Sequence, residues 1–386
     1  MKNVPARRGI HLTVLFPYLD RILEARVAAH KFERFRKGLD TGKLIENLSE
    51  KSGVDEQLFA LFGVDKPPGR DLPVGAVAWL GDDLAVAMAG EGVDGESAES
   101  ASLKSSPIIF RADPVHILPG REHLRVIGAK QLAISLGEAQ NLVDGLNAYF
   151  EQDGLVFEIA SPGRWYLKVA SSQDLELETV PSEDIISGLA QGALADLLPR
   201  GPDARRWHSL MNEMQMILHQ SQANQARASK GQPTISAVWL SGGGRLPSIA
   251  SRSHPHPLWQ GVFADGPVVR GLAQSSQSPL HSLPPDYSSF MPQLYENSGK
   301  YLIAFDNPHE SEGYELASWY QDFAGTDRQW CIPLIDALKS GDFSSIRWLT
   351  GKRAIETVAS DFRGKTSDVW RRLLRTLTGK GRVNNS

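Results

Sequence analysis

The sequence predicts an α/β fold: a mostly parallel sheet flanked by helices, with a small inserted α+β domain. Three observations carry this expectation. Apolar strand-like runs at His11–Phe16, Ile235–Leu240, Tyr301–Phe305 and Ser345–Thr350 are separated by stretches with helical signals, the alternation that a parallel sheet requires. Between Trp207 and Pro247 an amphipathic helix, a buried strand and a glycine-rich segment follow one another without interruption. A capped helix and a hairpin pattern, running from Ser135 to Val169, break into that alternation. At 386 residues the chain is long enough for roughly two domains, or one large domain carrying an insertion. The expected core is 1–118 together with 200–386, and the expected insertion is 119–199.

Composition narrows the function classes. Charged residues make up 22% and hydrophobic ones 41%, ordinary values for a globular protein. The formal charge of −4 predicts no bulk attraction to nucleic acid or to an anionic membrane. A lone cysteine, Cys331, excludes an internal disulfide framework and a cysteine-based metal cluster, and fits a reducing cytoplasm. Lys2, Arg7 and Arg8 make the start basic, but no long apolar run follows before Asp20 and Arg21, so neither a signal peptide nor a membrane span is expected.

Taken in order, His11–Phe16 reads as a first strand stopped by Pro17, whose ring nitrogen cannot donate into a ladder. Leu23–Leu48 reads as helical, and Val54–Phe62 as a short helix closed by Gly63. Val74–Leu80 reads as extended, and residues 90–106, alternating Gly, Ser, Glu and Ala, as an exposed loop. Ile108–Phe110 begins a strand leading into Arg111, Asp113 and His116, with Arg121, His123 and Arg125 close behind. So many cationic groups around one carboxylate form a candidate anion site. The alternative is a surface loop in which Asp113 pairs with an arginine.

Ser135 and Glu138 have capping-box spacing, and Ala139, Leu142, Val143, Leu146 and Phe150 continue on one helical stripe. Val156–Ile159 and Trp165–Val169, on either side of Ser161-Pro162-Gly163, predict an antiparallel hairpin. Asp203 is placed to cap a helix whose stripe is Trp207, Leu210, Met211, Met214 and Leu218, and Gly231-Gln232-Pro233 ends it. His219, Asn224 and Arg227 fall off the stripe. Gly242, Gly243 and Gly244 follow the next strand, where exposed backbone N–H groups would suit an anion, or where the run is a flexible turn. Residues 273–290 read as a long crossing loop. Tyr301–Phe305 ends on Asp306, with His309 shortly after, a pair suited to a divalent metal unless Asp306 caps the turn through Asn307-Pro308. From Lys352 onward nine Lys and Arg oppose three Asp and Glu, which predicts a solvated basic helix around Trp370 or a contact with an acidic partner.

Several of these stretches together resemble the archaeal type of cofactor-independent phosphoglycerate mutase, in the alkaline phosphatase superfamily. Leu61-Phe62-Gly63-Val64-Asp65 with Gly69-Arg70, Ile109-Phe110-Arg111, then Asn212-Glu213, His219, Asn224, Arg227 and Gly231, and finally Val238–Pro247 match that family's segments in the same order. The strings Arg111–His116, Arg164–Leu167 and Trp207–His219 are similar to bacterial regulatory proteins of the RpfE type. The resemblance implies an alkaline-phosphatase-like core and, in an active member, a two-metal phosphoryl transfer through a serine.

The departures from that pattern decide the expectation. Val54-Asp55 stands where the resemblance implies Ser-Asp, and valine cannot be a nucleophile. Phe16-Pro17 stands where it implies a metal-binding aspartate, and Gly351-Lys352-Arg353 where it implies Asp-His. Asp306 and His309 are the ligand-like remnants. A non-catalytic regulatory or interaction protein without a cofactor is therefore expected. It would hold a small phosphorylated or carboxylate ligand, or a protein partner, with Arg111, Asp113, His116 and Arg121 facing His219, Asn224, Arg227 and Gly242–Gly244. The alternative is an active mutase or phosphatase using manganese or zinc at Asp306, His309 and Asp55.

Overall fold

The computed structural model describes residues 9–17, 19, 32–47, 54–84, 106–118, 125–170, 175–186, 194–249, 257–294, 298–306, 323–351 and 353–362. The predicted exposed loop up to residue 105, the basic segment around Trp370, Arg121 and His309 lie outside them.

Along the chain, strand β1 (Ile10–Leu15) is followed by helix α1 (Glu33–Asp40), β2 (Lys43–Asn47), α2 (Val54–Leu61) and α3 (Val74–Gly81). Next come β3 (Ile108–Leu118), β4 (Arg125–Ile127), α4 (Leu136–Phe150), β5 (Leu155–Ser161) and β6 (Arg164–Val169). Helices α5 (Ala204–Gln220) and α6 (Gln222–Ser229) lead to β7 (Ala237–Gly244), β8 (Gly261–Phe263), α7 (Pro267–Ser275), β9 (Leu280–His281) and β10 (Gly299–Ala304). A π-helical turn at Asp327–Cys331 opens α8 (Ile332–Ser340), before β11 (Ser345–Leu349) and β12 (Arg353–Val358) close the fold.

The strands form two sheets. One has seven strands in the order β2-β12-β11-β1-β10-β8-β9. Its middle, from β11 to β9, is parallel, and β12 and β2 add antiparallel at one edge. The other has five strands, β4-β3-β6-β5 with β7 on β3, all antiparallel. It draws β3 and β7 from residues flanking the 119–199 segment and β4, β5 and β6 from within it. The α/β class, with a mostly parallel sheet flanked by helices, is as the sequence predicts.

The local physics explains the agreements and the corrections. Ser135 caps α4 with both hydrogen bonds of a capping box, and Ala139, Leu142, Val143, Leu146 and Phe150 are its buried stripe. The hairpin forms as β5 and β6. Trp207, Leu210, Met211, Met214 and Leu218 are the buried face of α5, and Trp207 stacks 4.6 Å from Phe110. That helix breaks at Ser221, whose Oγ accepts from Asn224 N at 3.2 Å and so starts α6. Asp203 sits at the α5 N-cap, yet its carboxylate accepts from Glu176 N at 2.9 Å instead of from its own helix.

Val74–Gly81 is a helix, not the extended segment expected. It is apolar all round because it is packed between helix α7 and strands β3 and β7, and a helix buried on nearly every side has no periodicity to read. Lys43–Asn47 is a strand on β12, although the sequence reads as helix there; pairing supplies what local propensity does not. The expected crossing loop at 273–290 instead contains the end of α7, β9 and a short helix at Tyr287–Phe290. Arg353–Val358 pairs with β11 as a strand.

Distinct cores result. Phe16, Phe35, Tyr301, Trp330, Trp348 and their neighbours fill one side of the parallel sheet, and Trp165, Trp207, Phe110, Phe150, Phe157 and Met214 fill the space behind the antiparallel one. Phe59, Phe62, Val77, Leu272 and Leu302 fill the other side of the parallel sheet, where helix α3 meets α7 at very close range. A Cβ added at Gly271 of α7 would lie 1.8 Å from the Val77 carbonyl oxygen, so glycine is required for the two helices to approach.

A cleft at the carboxyl ends of the parallel strands

In a parallel sheet the strand ends open onto a crevice. Here β1 leaves Leu15 and Pro17 there, β10 leaves Phe305 and Asp306, and the β8–α7 connection leaves Gly266 and Pro267, all lining one cleft of about 990 Å³. The N-terminal turn of α2 contributes Val54 and Asp55. The opposite wall comes from the antiparallel sheet and its connections, with Arg111, Lys130, Arg164, Thr179 and Gly242. One wall is thus largely apolar, and the other carries the guanidinium groups.

Arg164 is fixed within its wall. Its Nε and Nη2 donate to the two oxygens of Asp82 at 2.7 and 2.6 Å, and the hydroxyl of fully buried Tyr166 donates to the same carboxylate at 2.6 Å. Burial works against the guanidinium charge, but Asp82 outweighs it and holds the Arg164 pKa above its ordinary value. The Tyr166 phenol is pushed well up by burial, and the Asp82 charge adds to this. Arg111 donates from Nη2 to Asp113 at 2.6 Å, and the second oxygen of Asp113 accepts from Ser182 Oγ at 2.7 Å.

On the strand-end wall, the Asp306 carboxyl is raised above its usual range by desolvation in the cleft and then by the charge of Asp265; Arg164 and the Gly266 N–H pull the other way. Burial also raises Asp71, against hydrogen bonds from the Thr179 hydroxyl and N–H. This donor set does not fit a pair of divalent cations. Asp306 shares the cleft with Arg111, Arg164 and Lys130, and among the described residues no three His, Cys, Asp or Glu side chains converge to hold a metal.

The residues expected to face one another as an anion site are dispersed. Arg111 and Gly242 line the cleft. Arg227 is 3% exposed and donates to Pro233 O at 2.7 Å, Leu132 O at 2.6 Å and Glu138 at 3.0 Å. Asn224 acts as a substitute strand: its side chain exchanges 2.8 Å hydrogen bonds with Ile235 N and O, and also donates to Leu218 O. His116 Nδ1 lies 2.8 Å from Thr234 O, Asp113 is buried in its pair with Arg111, and His219 is exposed on α5.

The glycine run also differs from expectation. Gly242–Gly244 belongs to β7 and pairs antiparallel with β3, so it is not a turn beyond a parallel strand. Gly242, at φ +61°, forms a bulge opposite Phe110, and a Cβ at Gly243 would sit 2.0 Å from the Phe110 ring. Gly242 N donates to Thr179 Oγ1 at 3.0 Å and Gly243 N donates to Asp71, so the chain itself occupies those N–H groups. Sequence reasoning did not single out Arg164, Lys130, Asp71 or Thr179 for the site. The readable signal was Arg164, standing directly after the hairpin turn.

Comparison with known proteins bears on this geometry. No protein-family model matches the sequence. A probable 2,3-bisphosphoglycerate-independent phosphoglycerate mutase from Geobacter sulfurreducens is 27% identical over 206 residues, covering 53% of this chain and 50% of that one. The chain is homologous, at low identity, to the cofactor-independent phosphoglycerate mutases. The corresponding mutase of Methanosarcina acetivorans is 24% identical over 206 residues, with 53% and 49% covered. The chain therefore spans about half the length of the curated mutases it matches. Among solved structures, the cofactor-independent phosphoglycerate mutase of Thermoplasma acidophilum aligns over 96% of this chain and 100% of its own at 13% identity and a TM-score of 0.42. No helix among the described residues is long and apolar enough to cross a membrane.

Proposed function

We propose that this protein is a non-catalytic member of the phosphoglycerate-mutase-like scaffolds, a regulatory or interaction protein that holds a small phosphorylated or carboxylate ligand in the cleft. One observation carries the reading. Leu15, Pro17 and Val54 form the apolar part of the wall that also holds Asp306, and Pro17 and Val54 occupy the positions where the mutase resemblance implies a metal-binding aspartate and the phosphate-carrying serine. A valine has no hydroxyl to phosphorylate and a proline no oxygen to offer a cation. Arg111 and Arg164, fixed by Asp113 and Asp82, support anion binding without metal, because a guanidinium recognises phosphate or carboxylate through paired donors. The similarity to regulatory proteins of the RpfE type supports the regulatory half of the proposal.

Elemental analysis of purified protein, coupled to a mutase assay with added manganese, tests this reading. The expected result is metal well below one equivalent and no turnover. Stoichiometric manganese or zinc, with rates in the ordinary enzyme range of roughly 1–1,000 per second, would overturn it.

A further inference from the structure

The cleft is lined by both signs of charge, and that mixture restricts its ligand more than an anion site alone would. Arg164 spends one edge of its guanidinium, Nε and Nη2, on Asp82, and its side chain remains 32% exposed against 11% for Asp82. Five N–H donors in a rigid plane leave the Nη1 edge for a second acceptor. The anchor is itself locked, since Tyr166 donates to Asp82 from within the core at 2.6 Å. Such an arginine is already in its binding geometry and loses little entropy when an anion arrives.

Across the cleft stands Asp306, and the Arg164 charge reaches it although the two make no direct ion pair. Asp265, close behind, adds a second negative charge. A simple anion gains at Arg164 and loses at Asp306, a simple cation meets the reverse, and the rest of the lining is mixed in sign, with Lys66, Arg111 and Lys130 beside Asp55, Glu56, Asp71 and Asp184. Either mismatch opposes binding, because like charges repel more strongly near a protein surface than in bulk water. A molecule carrying both charges satisfies both walls, and Leu15, Val54 and Phe305 offer apolar surface for a short carbon stem between them.

We infer that the cleft receives a small zwitterion, a phosphorylated or carboxylated molecule bearing an amino group, with its anionic end on Arg164 and its ammonium on Asp306. This rests on the anion-binding reading above and adds the second charge. O-phosphoserine and 3-phosphoglycerate are a matched pair of probes, since both carry a phosphate and a carboxylate and they differ by an amino group in place of a hydroxyl. In calorimetric titrations phosphoserine binds at least about tenfold more tightly than 3-phosphoglycerate. D306N, a near-isosteric change at the cleft surface, erases that preference while both probes still bind. R164K keeps the charge but loses the fork and weakens both probes, and R164Q weakens them further, with circular dichroism confirming that each variant is folded.

Equal or tighter binding of 3-phosphoglycerate to the unaltered protein, or a preference that survives in D306N, overturns the zwitterion while leaving the anion site standing. Binding of neither probe overturns both readings.

Discussion

Beneath the parallel sheet, Phe16, Phe35, Tyr301, Trp330 and Trp348 pack at ring distances such as 5.2 Å for Phe35 and Trp348, and the buried polar groups there, such as Thr13, Ser345, Thr350 and Thr357, are mostly short hydroxyl side chains. Around the antiparallel sheet, apolar packing is laced with buried polar ties: Arg227 to Glu138 and two carbonyls, Asn224 to Ile235, Asp113 to Arg111 and Ser182, and Asp82 to Arg164 and Tyr166. Buried hydroxyls of the first body bond to nearby backbone and side chains, whereas the second ties charged and amide groups into networks, and one of these networks holds Arg164 at the cleft.

The seam between the bodies is where the comparison breaks most sharply. Gly271→Val drives a side chain into the Val77 carbonyl, which is backbone and cannot rotate away, so urea denaturation should show a loss of about 4 kcal/mol or complete failure to fold. A loss below about 1 kcal/mol would mean that α3 and α7 slide freely. Within the polar body, Arg227→Ala strands Glu138 and the carbonyls of Leu132 and Pro233, with an expected cost of about 3 kcal/mol. Its affinity for 3-phosphoglycerate in the folded fraction should be unchanged, since the side chain is buried away from the cleft. A lost affinity at full stability would return Arg227 to the site.

Among the buried polar residues of the parallel-sheet body, Asp327 is an acid. Asp327 is 4% exposed at the start of the π-helical turn, its Oδ1 has no hydrogen-bond partner, and burial pushes its carboxyl up to about 6, against the pull of Arg328 and Arg34. A carboxyl raised on folding contributes stability that is complete below the ordinary value of 3.8 and is lost as the pH climbs through about 6. Asp327→Asn should therefore stabilise the protein by about 2 kcal/mol at pH 8 and hardly at all at pH 4. Thermal melts at both values check this, and an equal effect at the two would show that the charge is already compensated. The smallest effect sharpens the contrast at a surface. Ser135→Ala removes the α4 cap and should cost about 1 kcal/mol, read by the same melts.

How much of this was legible in the sequence follows the same division. The amphipathic helices α4 and α5 and the central strands β1, β10 and β11 were readable, because a half-buried element writes its period into the chain. Helix α3 was not, since Val74–Gly81 is buried on nearly every side and its apolar run fits strand or helix equally. Of the expected site, Arg111, Gly242 and Asp306 lie in the cleft. Arg227 and Asn224 were singled out for their chemistry, but a buried arginine or asparagine satisfied by backbone carbonyls looks identical in sequence to one that holds a ligand. Arg164 escaped because its importance depends on Asp82, a partner 82 residues away that no local pattern connects to it.

Phosphorus NMR of 3-phosphoglycerate mixed with the protein and zinc, a diamagnetic ion, reads binding and chemistry together against a protein-free control. The account predicts a shifted or broadened 3-phosphoglycerate resonance and no other phosphorus signal over hours. Growth of a 2-phosphoglycerate or inorganic phosphate peak at about one turnover per second or faster would contradict it, as would a resonance that the protein leaves unchanged.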